Sequence, residues 1–107
     1  MILGLDVSTS ITGITLLDNE GEVVYNTSVD TRKYKNFFEK AKEFEYEIKY
    51  LWQSTNIDLL PKRIFIEQSL QSFRSGFSSA KTLSTLSRFN GVVSWIMYKN
   101  WGIEPEY

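Results

Sequence analysis

Ile2-Leu3-Gly4-Leu5-Asp6-Val7-Ser8-Thr9-Ser10-Ile11-Thr12-Gly13-Ile14-Thr15-Leu16-Leu17-Asp18 reads as an apolar strand carrying one carboxylate, a tight polar turn, and a second strand running back. An acid set among Ile2, Leu5 and Val7 is costly to bury unless a partner compensates it. That cost marks Asp6 as a placed ligand, and a divalent cation is the partner that suits it. Glu67, which ends the apolar run Arg63-Ile64-Phe65-Ile66, carries the same expectation.

Working outward, residues 2–8 and 11–18 are predicted to form a hairpin. Asp18-Asn19-Glu20-Gly21 is a turn signal, and residues 22–29 alternate as a third strand, giving an antiparallel meander. From Asn36 the period changes. Phe37, Ala41, Phe44, Ile48, Leu51 and Trp52 recur at helical spacing, and Asn36 with Glu39 resembles a capping box. This helix should run to about Gln53. Residues 56–62 form a connection, with Pro61 as a stop.

The run 63–67 is short, β-branched and apolar, which suits an interior strand. Residues 68–78 are a polar loop holding Phe73, Arg74, Gly76 and Phe77. A long helix is expected over residues 79–100, closed by Gly102 at its C′ position. Residues 103–107 lead toward another strand.

That second helix has two stripes. Leu83, Leu86, Phe89, Val93, Ile96 and Met97 make a bulky face, while Ala80, Ser84, Ser87, Gly91 and Ser94 make a small one. Glycine inside a helix costs about 1 kcal/mol against alanine, so Gly91 predicts close approach of another backbone. Packing on the sheet would provide it, and so would a self-associating helix pair, for which Val92 and Trp95 add apolar surface.

The bulk properties exclude several classes. With 107 residues, 42% apolar and 15% aromatic, the chain reads as one folded domain. No apolar run approaches the roughly 20 residues that span a bilayer, and no signal peptide opens the chain. A cytoplasmic protein without membrane partners is the expectation. Cysteine and histidine are both absent. Thiolate or Cys/His zinc sites and Ser-His-Asp triads are therefore unavailable, and hydrolysis here would run on carboxylates, Lys, Tyr or Ser with a hard metal. Net charge is −1, with basic residues gathered at Arg32, Lys33, Lys35, Lys40 and Lys42 and again at Lys62, Arg63, Arg74, Lys81 and Arg88. Ordinary solvated faces account for such clusters as readily as nucleic-acid contacts.

If the strands ending in Asp6 and Glu67 are neighbours, both carboxylates project from one end of the sheet. Mg²⁺ fits such a pair, because it takes one or two carboxylates plus waters and phosphate oxygens; Mn²⁺ suits the same oxygens. Structural salt bridges would explain the two acids equally well.

The pattern resembles the RuvC-type Holliday-junction resolvases of the RNase H-like superfamily. The likeness runs through Ile2-Leu3-Gly4-Leu5-Asp6 with Ser8 and Gly13, through Ile66-Glu67-Gln68, Ser79-Ala80-Lys81-Thr82-Leu83 and Phe89-Asn90-Gly91-Val92-Val93, and on to Tyr107. The interval from Asp6 to Glu67 matches that between the family's first two catalytic acids. The resemblance implies an α/β fold with an RNase H-like mixed sheet, three antiparallel strands and then parallel ones, flanked by helices. It implies a Mg²⁺-dependent homodimeric endonuclease that nicks branched DNA in recombination and repair, of bacterial or phage origin. Asp6 would be the central catalytic metal ligand and Glu67 the second. Ser8 and Gln68 would lie against the nucleic acid, Phe73 or Phe77 would stack on a base, and Arg74, Lys81 and Arg88 would contact phosphates.

Two features depart from that family. Leu70 holds the position where many members carry an aromatic residue. The family's further pair of acids, on a C-terminal helix, has no counterpart before Tyr107. The resemblance implies that the chain corresponds to the N-terminal part of such a domain, C-terminally incomplete, and little activity is expected of it alone. Two other classes fit less of the sequence: an actin-like ATPase or sugar-kinase fragment, gripping phosphate with the amides of the 6–10 turn, and a non-catalytic nucleic-acid-binding module.

Overall fold

A computed structural model describes residues 1–54, 61–67 and 80–107. Three strands come first: β1 (Ile2–Asp6), β2 (Ile11–Leu17) and β3 (Val23–Asp30). They are followed by α1 (Phe37–Ser54), β4 (Arg63–Glu67) and α2 (Ala80–Trp101). The sheet runs β3-β2-β1-β4, with β1–β2 and β2–β3 antiparallel and β1–β4 parallel. This is a small α/β domain with a mixed four-stranded sheet and two helices. The expected meander and the parallel fourth strand are both present.

Period two decides which residues face inward. Leu3, Leu5 and Val7, with Thr12, Ile14, Leu16, Val29, Ile64 and Ile66, are buried on one face of the sheet. Ala41, Phe44 and Ile48 of α1 and Phe89, Val93, Ile96 and Met97 of α2 close over them in a single core. Burying each Leu, Ile or Phe contributes about 1.5–3 kcal/mol. Both helices thus cover the same face, and the residues of opposite parity lie on a face that no described helix covers.

Local signals explain the joints. Gly21 takes φ +84° in the turn after β2, where Gly21 N donates to Asp18 O and the Asp18 carboxylate accepts from the amides of Glu20 and Glu22. Asn36 caps α1, its Oδ1 accepting from Phe38 N at 2.9 Å and Glu39 N at 3.2 Å. Gly102, at φ +70°, ends α2 as expected. Beyond it, Glu106 pairs with Phe65 in a parallel bridge that gives β4 a second neighbour.

One packing expectation is overturned. A Cβ added at Gly91 would meet nothing within 4 Å, and Gly91 is exposed, so the sheet does not approach it. Phe89, Val93, Ile96 and Met97 turn the helix so that Ser84, Ser87 and Gly91 of its small stripe are exposed. Among the described residues, no helix is long and apolar enough to cross a membrane.

Candidate metal centre

Asp6 ends β1 and Glu67 ends β4. The parallel register pairs them directly, Asp6 with Glu67 and Leu5 with Ile66. Leu5 and Ile66 are buried, so the next residue on each strand turns to the opposite face. The two carboxylates therefore stand side by side on the face that no described helix covers, about 4.8 Å apart at the backbone, as neighbouring strands are.

Both residues are exposed, which corrects the expectation of a buried charge at Asp6. Alternation puts Leu3, Leu5 and Val7 inward and Asp6 outward, so no desolvation cost has to be offset. What remains is chemical. Neither carboxylate group has an ion-pair or hydrogen-bond partner among the described residues; the ion pairs there are Arg32–Asp30, Arg63–Glu106 and Lys99–Glu45. Two adjacent acids with no cationic partner among the described residues make a site whose mutual repulsion a divalent ion would relieve.

The surroundings leave room for such an ion and a ligand. On its other side Asp6 pairs with Gly13, where an added Cβ would sit 3.6 Å from the Asp6 Cβ. Gly4 lies two residues before Asp6 on the same face. These glycines form the floor of a shallow depression of about 540 Å³, walled by Thr15, Phe65, Tyr107 and the two acids. The guanidinium of Arg63 lies 4.6 Å from the Phe65 ring and is held by Glu106, so it does not reach over to neutralise Glu67. Among the described residues no group of three or more acids gathers, so the site offers two carboxylates and open positions.

The turn after β1 is clamped from below. Thr12, buried, donates from Oγ1 to Ser8 O at 3.0 Å and accepts from Ser8 N at 3.3 Å. Thr31, also buried, donates to the carbonyls of Thr9 and Ser10, and Lys40 Nζ donates to the carbonyls of Thr9 at 2.6 Å and Thr31 at 3.0 Å. The Ser8 hydroxyl accepts from Ser10 N at 3.0 Å. Two amides that a phosphate loop would present, those of Ser8 and Ser10, are thus already bonded inside the turn.

The remaining expected contacts divide. Lys81 and Arg88 are exposed on α2, the helix covering the other face, and neither lines the depression. Arg88 lies 5.5 Å from the Phe37 ring and donates to Thr85 Oγ1 at 3.4 Å. Gln68, Phe73, Arg74 and Phe77 lie outside the described residues. Sequence reasoning missed Gly4, Gly13, Thr15 and Tyr107 as lining residues. Stepping by two from Asp6 finds Gly4, and closing the hairpin finds Gly13 and Thr15. Tyr107 depends on the Phe65–Glu106 bridge, for which the sequence carries no local signal. No protein-family model matches the chain, and no curated protein matches it.

Proposed function

We propose that this chain is a nuclease domain of the RuvC-type, RNase H-like kind, hydrolysing phosphodiesters in branched DNA with Mg²⁺ held by Asp6 and Glu67. One observation carries this: the two acids, remote in sequence, pair in register on a face that no described helix covers, and among the described residues no cation of the protein pairs with either. The sheet order, with three antiparallel strands and a parallel fourth beside the first, agrees with that fold. The engaged amides of Ser8 and Ser10 count against a phosphate-gripping ATPase or kinase.

Bound there, Mg²⁺ would supply charge neutralisation at a phosphodiester and a template for the attacking and leaving oxygens. The chain's own residues hold and expose it. Asp6 is fixed by the β1 ladder on both sides, Glu67 by β4, and the missing side chains at Gly4 and Gly13 let a sugar-phosphate strand lie close to the acids. With two carboxylates the expected cleavage is slow, because two-metal sites are built from more ligands. Paired nicks across a four-way junction would require two copies of the chain.

The test is calorimetric titration of Mg²⁺ together with nicking of a labelled four-way junction. Saturable Mg²⁺ binding that Asp6→Asn and Glu67→Gln each abolish, with nicking of the junction over its linear arms, supports the proposal. Mg²⁺ binding undiminished by both substitutions would overturn it.

A further inference from the structure

Phe65 stands two residues before Glu67 on β4, so the two side chains share the face that no described helix covers, at levels about 6.6 Å apart. Among the described residues its other neighbours on that face are accounted for. Arg63, two residues back, lays its guanidinium over the ring, 4.6 Å from the centroid. Glu106, the bridge partner of Phe65, turns its carboxylate onto Arg63 at 2.8 and 2.9 Å. Gly4, its partner in β1, carries no side chain, and a Cβ added there would meet only Thr15 O, at 3.8 Å. Arg63 therefore occupies the side of the ring that faces away from Glu67. The side toward the acids borders the depression of about 540 Å³.

A ring in that position complements the metal centre. An ion held by two carboxylates keeps positions open for phosphate oxygens, and an aromatic face takes a flat apolar group. A nucleotide carries both groups on one sugar. Stacked bases repeat about every 3.4 Å, so one base fits between the ring and the level of the acids. Gly4 leaves the floor beneath it clear, and Thr15 Oγ1, donating to Asn26 Oδ1 at 3.2 Å, makes the far wall polar. Arg63, held by two hydrogen bonds to Glu106, limits the orientations open to the ring before a ligand arrives, which lowers the ordering cost of binding.

We propose that Phe65 is a base-stacking residue of the metal centre, receiving the nucleobase whose phosphate is held by the ion on Asp6 and Glu67. This role rests on the reading of Asp6 and Glu67 as Mg²⁺ ligands. It selects for the presence of a base and not among bases, since every base has a π-face.

Thymidine 3′,5′-bisphosphate and its abasic counterpart, each titrated into the full chain with Mg²⁺ present and followed by proton NMR, test this, with Mg²⁺ affinity measured separately by calorimetry. The nucleotide should bind at least about 5-fold more tightly than the abasic compound, and its thymine methyl and H6 signals should move upfield under the ring current. Phe65→Leu should erase both the preference and the upfield shift while leaving Mg²⁺ affinity unchanged. Phe65→Tyr should keep all three, and thermal melts of both variants should match the parent. Equal affinity for the two compounds, with Mg²⁺ still bound, overturns the stacking role and leaves the metal centre standing. A preference for the base that survives in Phe65→Leu overturns it as well. Absence of saturable Mg²⁺ binding in the parent removes the metal centre, and the stacking role falls with it.

Discussion

Asp6 carries a charge that costs the fold little by itself but is set beside a like charge. Like charges facing each other across strands destabilise by about 0.2–1 kcal/mol. Asp6→Asn should therefore raise metal-free stability slightly in urea denaturation while removing the response to Mg²⁺. Asp30 shows the opposite environment. The Arg32 guanidinium and backbone N–H hold its carboxyl at about 2, below the ordinary 3.8. Because the folded value is depressed, the pair's contribution is full above about pH 4 and disappears as pH falls through about 2. Both groups are exposed, so solvent screens the pair and little stability hangs on it. Arg32→Gln should raise Asp30 part of the way back toward the ordinary carboxyl range in a carbon-detected NMR titration, the backbone N–H of residue 32 still donating to it, with almost no change in the denaturation midpoint.

At the scale of elements, side chains of β2, of the segment after β3 and of α1 clamp the β1–β2 turn. Thr12→Val keeps the β-branched shape but leaves Ser8 N and Ser8 O without their side-chain partner. The expected loss is about 1–3 kcal/mol by urea denaturation. In α1, Phe44 is fully buried and Phe44→Ala should cost about 3–5 kcal/mol. These elements are legible in the sequence because their signals are local. Phe37, Ala41, Phe44 and Ile48 keep helical period, Asn36 caps, Gly21 and Gly102 take positive φ, and Arg63–Glu67 forms the strand its composition suggests. Gly91 and Asp6 mislead for one shared reason. Each invites an inference from a cost that applies only if the residue is buried, and burial depends on how α2 is rotated or which face of the sheet is covered. Lys40 reads as part of a basic cluster, whereas its ammonium closes the turn through carbonyls that no sequence pattern reveals.

For the whole molecule, the pairing of β1 with β4 joins the N-terminal meander to the part of the chain that follows α1. A one-residue slip of β4 would turn Glu67 into the core and Ile66 out to water; burial of Ile64 and Ile66 beside Leu3 and Leu5 therefore fixes the register of the two acids. An ion shared by Asp6 and Glu67 would bind the folded chain and not the unfolded one, where the acids are far apart. Mg²⁺ at about tenfold above its dissociation constant should then add about 1.4 kcal/mol. For a domain of this size that is a rise in melting temperature of roughly 5–10 °C by scanning calorimetry. Asp6→Asn and Glu67→Gln should each cancel most of that rise, and the double variant should lose no more than either alone. Additive losses from the two substitutions would mean that the acids bind ions separately, so that the strand pairing which aligns them would have no part in holding a metal.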